Sequence, residues 1–185
     1  LVCNHVSLVD GMLVAAALPR EPRFLMYTPF FDVPVLGWFA KRMGVIPVSS
    51  GDTPEEKRDS LKAASDAAAG GDLVCIFAEG AITRSGAMLG FAKGLERIAG
   101  DARVPIVPVA LDRLWGSLFS FERGKVLFKR PQRIPYPVDM LVGEPLAHDT
   151  AAWEVRNAVA ERLAIHQSAR AGPWGHLGRR LLLSA

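Results

Sequence analysis

Two polar residues near the start of the chain have types and spacing suited to acid–base chemistry. His5 and Asp10 are five residues apart in the segment NHVSLVD, residues 4–10. On one continuous helix their side chains would point about 140° apart and could not meet. If His5 lies in a loop and a helix starts at Ser7, the chain turns back and Asp10 can reach the imidazole. The carboxylate would then fix the tautomer, and the other ring nitrogen could take a proton from an alcohol.

The same residues also allow a structural interpretation, which the sequence leaves open. Ser7 and Asp10 have the spacing of a helix capping box, and His5 could be a hydrogen-bonded loop residue. The sequence contains no G-x-S-x-G nucleophile elbow. If the pair is catalytic, the substrate's own hydroxyl would therefore be the nucleophile, and no covalent enzyme intermediate would form.

A second polar segment, EGAITRSG, occupies residues 79–86. Glycines there permit tight turns, while hydroxyls, backbone N–H groups and a guanidinium are suited to binding phosphate. Its candidate ligands, with a lysine further along the chain, are Glu79, Gly80, Thr83, Arg84, Ser85 and Lys93. Glu79 cannot bind phosphate as a carboxylate, so it would accept a hydrogen bond from a substrate hydroxyl or hold the loop. The alternative is an ordinary strand-to-helix turn with surface charges.

The elements around these segments are expected to alternate between strand and helix. Strands are predicted at 1–3, 23–28, 45–48, 73–78, 104–111, 125–129 and 139–142. Helices are predicted at 7–17, 34–43, 54–69, 89–98 and 150–169. This alternation predicts an α/β fold with a mixed, mainly parallel central sheet flanked by helices. Ligands of such sheets gather outside the carboxyl ends of the strands, where both polar segments fall.

Some of these elements have strong local signals. Thr53, Pro54 and Glu56 form a helix start, with an N-cap, a proline at the first position and a capping-box glutamate. The run LVCIFA at 73–78 is typical of a strand buried on both faces. Two prolines in 104–111 indicate an edge or irregular strand.

Composition sets the broad class of the protein. The chain has 185 residues, of which 50% are hydrophobic and 22% charged, and we expect one domain over 1–170 and a linker or basic-apolar tail over 171–185. A net charge of +3 gives no indication of nucleic-acid binding. The basic residues of 113–133 could face anionic lipid or an acidic carrier protein, or form a solvated surface. No apolar run approaches the ~20 residues that span a bilayer, so contact with a membrane would be made from its surface.

Cysteines and aromatic residues give further expectations. Cys3 and Cys75 lie in apolar runs without metal-binding spacing, so we expect buried thiols in a reducing compartment. The aromatic stretches 27–39 and 114–121 are flanked by basic residues. They suit a lipid interface or the wall of an acyl-chain tunnel, or equally the packing of a core.

Three segments together resemble the motifs of the lysophospholipid and 1-acylglycerol-3-phosphate acyltransferase family. Residues 4–10 resemble its first motif, N-H-x4-D. Phe77 to Gly80 followed by 83–85 resemble its third, F-P-E-G-T-R-S, and 104–109 resemble its fourth, V-P-[IV]-x-P-V. Order and spacing agree from Asn4 to about Leu111. The resemblance implies the glycerolipid acyltransferase fold and transfer of a fatty acyl group from a thioester to a lysophospholipid hydroxyl.

Two departures from the family pattern refine this expectation. The third motif, E-G-x-I-T-x-[ST]-G, is similar to the acyltransferase half of bifunctional 2-acylglycerophosphoethanolamine acyltransferase/acyl-carrier-protein synthetases. The second motif, at 44–51, lacks the family's phosphate-contacting arginine, which favours a lysophosphodiester acceptor such as lysophosphatidylethanolamine. Because the chain begins at Leu1, we expect it to be a piece of a longer polypeptide, in which an adenylate-forming or transporter domain adjoins it.

The resemblance also implies a role for each residue. His5 would be the general base, oriented by Asp10, and Asn4 with backbone N–H groups near Gly80 would steady the oxyanion. The glycerol phosphate would bind at Glu79, Gly80, Thr83, Arg84 and Ser85. No metal or bound cofactor is expected, the donor would be acyl-CoA or acyl-acyl-carrier protein, and the site of action would be the cytoplasmic face of the cell membrane. The competing interpretations are a catalytically inactive lipid-binding or membrane-docking module and a thioester hydrolase.

Overall fold

The strands and helices come from a computed structural model that describes residues 1–32, 34–48, 53–124, 126 and 136–171. Its strands are β1 (Val2–Cys3), β2 (Pro22–Tyr27), β3 (Ile46–Val48), β4 (Leu73–Phe77), β5 (Pro108–Asp112) and β6 (Asp139–Val142). Its α-helices are α1 (Asp10–Ala17), α2 (Pro34–Arg42), α3 (Pro54–Ala69), α4 (Gly94–Ala102) and α5 (Ala152–Ala171). Within these residues, no helix is long and apolar enough to cross a membrane.

All six strands form one sheet in the order β3-β2-β4-β1-β5-β6. Every neighbouring pair is parallel except β5 and β6, which are antiparallel. The predicted mixed, mainly parallel α/β architecture is therefore confirmed. The short strand β1 lies between β4 and β5, so the residues that follow these three strands meet at one edge of the sheet.

Strand β4 is covered on both faces, as its continuous apolar sequence predicts. Val74 belongs to a core cluster with Ala64 of α3 and Ile98 of α4. Cys75, the next residue, packs in a different cluster with Cys3 and Phe24. Since successive side chains of a strand point to opposite faces, the two clusters form the two hydrophobic layers on either side of the sheet.

The start of α3 has the geometry that its sequence predicts. The backbone N–H of Glu56 donates to the Thr53 hydroxyl at 3.2 Å, and the Thr53 N–H donates to the Glu56 carboxylate at 2.7 Å. These bonds satisfy orphan donors at the helix end. The hydrogen bond from the Thr53 backbone also lowers the pKa of Glu56 from its ordinary value.

The helix predicted at 89–98 begins later, at Gly94, and ends at Ala102. Tertiary hydrogen bonds take up the backbone of the preceding residues. Arg156 of α5 donates to the carbonyl oxygens of Met88 and Leu89, and the Ala92 N–H donates to Ala78. Because these groups are already paired across the fold, a first helical turn there would have to break them.

The other boundaries differ in smaller ways. Helix α1 begins at Asp10, not Ser7, and the strand predicted at 104–111 is confined to Pro108–Asp112. That strand is not at an edge of the sheet, because it pairs with β1 on one side and with β6 on the other. Its pairing is irregular before Pro108, where Ile106 forms only an isolated bridge to Leu146. The helix predicted at 150–169 spans Ala152–Ala171. The predicted strand at 125–129, apart from residue 126, and the predicted tail beyond residue 171 lie outside the described residues.

Candidate active site

His5 and Asp10 meet just beyond the carboxyl end of β1. Nδ1 of His5 lies 2.9 Å from Oδ2 of Asp10. The Asp10 side chain is completely buried, whereas that of His5 is 20% exposed. Since a carboxylate only accepts, Nδ1 is the donor of this bond, which leaves Nε2 as the ring nitrogen able to take a proton.

The Asp10 carboxylate is held by three further donors of the turn before α1. Oδ2 accepts from the backbone N–H of Val6 at 2.6 Å and of Ser7 at 2.9 Å, and Oδ1 accepts a short hydrogen bond from the Ser7 hydroxyl. This donor set matches an ionised carboxylate. It also differs from a complete capping box, because the Ser7 hydroxyl donates to the carboxylate and does not accept from the backbone at Asp10.

Aromatic stacking fixes the plane of the imidazole. The His5 ring lies on Phe77, the last residue of β4, with ring centroids 4.4 Å apart and 20° between the planes. Phe77 in turn stacks on Phe24 of β2, with centroids 6.0 Å apart. The imidazole is thus oriented both by its hydrogen bond to Asp10 and by contact with the hydrophobic layer beneath it.

Glu79 connects the two polar segments. Its Oε1 accepts from the backbone N–H of His5 at 2.7 Å, and its Oε2 accepts from the N–H of Leu89 at 2.6 Å. Of the two roles that the sequence leaves open for this residue, these contacts support holding the loop. A second contact between the segments is the hydrogen bond from the Thr83 N–H to the His5 carbonyl, at 3.0 Å.

Two residues predicted to contact substrate have polar groups that are hydrogen-bonded within the protein. Thr83 is buried, with 1% of the residue exposed. Its hydroxyl donates to the Ala87 carbonyl and accepts from two backbone N–H groups, so it has no proton left for a phosphate. The Gly80 N–H, in a turn with φ +68°, donates to the Phe77 carbonyl. These bonds shape the loop, and the binding roles predicted for Thr83 and for the N–H groups near Gly80 stay predictions.

Asn4 bonds to the backbone of β5, and its predicted contact with an oxyanion stays a prediction. Its side-chain nitrogen donates to the Leu111 carbonyl at 3.0 Å, and its side-chain oxygen accepts from the Leu111 N–H at 2.7 Å. The buried amide thereby extends the pairing of β1 with β5 by one more residue and fixes the point at which the chain leaves the sheet. This pairing places His5 at the sheet edge.

Arg84, Ser85 and Lys93 remain at the surface of this edge. All three are exposed. The central carbon of the Arg84 guanidinium lies 3.7 Å from the centroid of the Phe121 ring. The Ser85 hydroxyl accepts from the Ala87 N–H at 3.3 Å, and Lys93 occupies the cap position of α4. Their positions allow contact with a substrate from solvent, as does that of the exposed Gly80.

The loop after β5 contributes contacts that the sequence did not indicate. Ser120 forms an antiparallel bridge with Ser7, and the Leu8 N–H donates to Phe119 at 3.1 Å. The sequence of the aromatic stretch 114–121 suits a lipid interface, a tunnel wall or a core. In the structure it contacts the loops at residues 7–8 and 86, a partner that its spacing alone does not indicate.

Gly86 is in close contact with this loop, and its substitution is a sharp test of the packing. Its φ is +83°, and an added β-carbon would lie 2.8 Å from the Trp115 ring. We expect Gly86→Ala to destabilise the fold by about 1–3 kcal/mol, because the backbone is strained and the ring must move. Thermal unfolding measures this effect. Gly90→Ala is the matched control, since no atom lies within 4 Å of its β-carbon position; equal melting shifts for the two variants would contradict the packing.

A second charged cluster lies at the same edge, where β5, β6 and α5 meet. Suitable ligand atoms of Asp112, Asp139 and His166 lie within 4.8 Å of one another. The carboxylates already have cationic partners: Arg170 lies 3.1 Å from Asp112, and Arg113 lies 3.7 Å from Asp139. Two guanidinium groups oppose the binding of a metal cation, so we interpret the cluster as an ion-pair network that fastens α5 to the sheet.

The two thiols are buried next to each other, as predicted for structural cysteines. Sγ of Cys3 and Sγ of Cys75 are 3.7 Å apart, and both residues are completely buried. The hydrogen bond with Cys75, together with burial, raises the pKa of the Cys3 thiol well above its ordinary value. A protonated, inaccessible thiol is a poor nucleophile, so Cys3 is not suited to carry an acyl group.

The architecture places the protein among mainly parallel α/β folds, and comparison with known proteins identifies the family. The model of the Acyltransferase family matches residues 1–112. The 1-acyl-sn-glycerol-3-phosphate acyltransferase BAT2, chloroplastic, of Brassica napus is 34% identical over 110 residues, which cover 60% of this chain and 31% of that protein. A 1-acyl-sn-glycerol-3-phosphate acyltransferase of Chlamydomonas reinhardtii is 28% identical and matches 88% of this chain and 47% of its own length.

The fold has a solved counterpart. The crystal structure of the 1-acyl-sn-glycerophosphate acyltransferase PlsC from Thermotoga maritima superposes with a TM-score of 0.65 and 20% sequence identity, covering 92% of this chain and 66% of that one. The chain therefore belongs to the Acyltransferase family and has a PlsC-like fold. It spans less than half the length of the two relatives described above.

Proposed function

We propose that this chain transfers a fatty acyl group from acyl-CoA or acyl-acyl-carrier protein to the free hydroxyl of a lysophospholipid. The observation that carries the proposal is the 2.9 Å hydrogen bond between His5 and the buried Asp10, held beside the Arg84 loop. A His–Asp pair suits general-base activation of an alcohol. The Ser7 hydroxyl donates to Asp10 and not to the imidazole, which supports a mechanism without an acyl-enzyme.

In the proposed reaction, Nε2 of His5 takes the proton of the acceptor hydroxyl as its oxygen attacks the thioester carbonyl carbon. The tetrahedral intermediate collapses with cleavage of the C–S bond, and the imidazolium returns the proton to the departing thiolate. Asp10 stabilises the imidazolium between these steps. The chemistry calls for no metal or bound cofactor.

Every candidate acceptor contains a glycerol phosphate, whatever its head group. The names of the relatives favour a lysophosphatidate, whereas the lack of arginine in residues 44–51 favours a lysophosphodiester such as lysophosphatidylethanolamine.

The proposal that the enzyme binds to the membrane surface is supported by α2, where Trp38 is 68% exposed beside the exposed Lys41. Free buried thiols are compatible with the reducing, cytoplasmic side of the cell membrane. An adjoining adenylate-forming or transporter domain stays a prediction.

The decisive experiment crosses both donors with a panel of lysophospholipids. The purified chain is incubated with acyl-CoA or acyl-acyl-carrier protein and either lysophosphatidate or lysophosphatidylethanolamine, and products are identified by mass. A diacyl product supports the proposal and identifies donor and head group. Vesicle binding without any product would favour the lipid-binding module, and free fatty acid released without an acceptor would indicate a hydrolase.

Arg84→Ala is expected to raise the KM for the lysophospholipid about 10-fold or more while kcat changes little. The reason is that a charge-assisted hydrogen bond to the acceptor phosphate is lost, and such bonds contribute about 1.5–3 kcal/mol. Steady-state kinetics with varied acceptor measure the change. Arg58→Ala is the control, because this exposed arginine of α3 bonds only its own helix at Pro54 in the described structure. An unchanged acceptor KM would remove Arg84 from the phosphate site.

A further inference from the structure

The loop that follows β5, residues 113–124, lies on both catalytic segments at once. Its Ser120 forms an antiparallel bridge with Ser7, and its Phe119 carbonyl accepts a hydrogen bond from the Leu8 N–H. The loop is therefore joined to the turn that holds Asp10. Its Trp115 ring packs on the backbone at Gly86, in the loop of residues 79–86 that is proposed to bind phosphate and is called the phosphate loop below. The position of this loop is therefore fixed from two sides, which makes any side chain it presents to Arg84 a rigid support.

Phe121 is the side chain that it presents. The Arg84 guanidinium carbon lies 3.7 Å from the ring centroid. A separation this short requires the guanidinium to lie nearly flat on the ring, because an edge-on group would hold its central carbon further away by about the length of a C–N bond. In a flat arrangement the face of the guanidinium touches the ring, and its N–H donors point sideways, where an anion can accept them.

Arg84 has no carboxylate partner in the described part of the chain, although several other arginines pair with acids. Among the described residues its charge is thus left without an acidic partner, and the ring restricts a side chain that would otherwise be free to move at the surface. A restricted guanidinium loses less conformational freedom when it binds a phosphate, and this lowers the dissociation constant of the ligand.

We infer that Phe121 is a positioning residue for the acceptor site: its ring holds Arg84 so that the guanidinium edge faces the phosphate of the lysophospholipid. This inference rests on the proposed function, and it assigns a determinant of acceptor affinity outside residues 77–86. Phe121 takes no part in the chemical step, which belongs to His5.

The test is a double-mutant cycle of Phe121 and Arg84 in which the KM for the acceptor is measured for each variant. We expect Phe121→Leu to raise the acceptor KM about 3- to 10-fold, with kcat and donor KM near the wild-type values, because an aliphatic side chain cannot replace the ring face. Phe121→Trp, which keeps an aromatic face, should restore an acceptor KM close to the wild-type value. In an Arg84→Ala background, Phe121→Leu should have little further effect, because the residue acts through the guanidinium.

The controls separate this inference from the function it rests on. Phe91→Leu changes a similarly half-buried phenylalanine that packs against a different cluster, and it should leave the acceptor KM unchanged. If the wild-type chain forms no product, the proposed function fails. If the wild-type chain is active and Phe121→Leu leaves acceptor KM unchanged, or raises it equally with and without Arg84, the positioning role is overturned. Thermal unfolding of each variant shows whether lost activity reflects lost fold.

Discussion

His5→Ala is expected to reduce acyl transfer by at least about 100-fold, with little change in thermal stability. The imidazole is placed to be the proton acceptor, and general-base catalysis by a positioned histidine typically contributes a factor of this order or more. The folded state should tolerate the change, because the Asp10 carboxylate keeps its three other donors and the backbone N–H bond of His5 to Glu79 does not depend on the ring. The initial rate of diacyl product formation measures the effect.

The matched control is His148→Ala, which removes an exposed imidazole from the loop before α5. That loop follows Leu146, which bridges Ile106 ahead of β5 and therefore lies toward the opposite edge of the sheet. We expect wild-type rates for this control. Near wild-type turnover in His5→Ala would refute the general-base mechanism and with it the central part of the proposal.

Asp10 should affect both catalysis and folding, and two variants distinguish these effects. Asp10→Asn keeps the shape of the side chain but places amide N–H groups against the donors of His5 and the turn. We expect a loss of about 100- to 10,000-fold in kcat, because the imidazole loses its orienting acceptor and the stabilisation of its charged form. The rate and the melting temperature are measured on the same preparation.

Asp10→Ala is expected to be the more destabilising variant. It leaves the N–H groups of Val6 and Ser7 and the Ser7 hydroxyl without their carboxylate acceptor in a buried turn. A loss of roughly 3 kcal/mol or more in unfolding free energy follows from unsatisfied buried donors. Asp149→Asn, at an exposed acid, is the control for both variants. Full activity in Asp10→Asn would show that the imidazole needs no carboxylate to orient it.

Much of the fold was predictable because its signals are local. The Thr53–Glu56 capping box and the apolar run of β4 fixed two elements closely, since caps and burial patterns act within a few residues. The errors arose where tertiary contacts overrule local preference. The sequence of residues 89–93 favours a helix, but the Leu89 carbonyl accepts from Arg156 and the Leu89 N–H donates to Glu79. Helix α4 therefore begins only at Gly94.

The candidate site shows the same division. Its pair of His5 and Asp10 and its phosphate loop were predicted from residue types and spacing, and the structure brings the two segments together through Glu79 and Thr83. The roles of individual polar groups were harder to predict. Asn4 and Thr83 have the chemistry of ligands, but each is buried and hydrogen-bonded within the protein.

The sequence by itself determined the α/β class and indicated the sheet edge and the residues proposed for catalysis, because strand periodicity and residue chemistry are properties of short segments. Only the tertiary structure decided which of those residues are exposed and which are bonded within the loops, and it placed Phe121 against Arg84. These residues are far apart in the chain, and no local pattern encodes a contact between them. Their meeting depends on how β1, β4 and β5 lie side by side in the sheet.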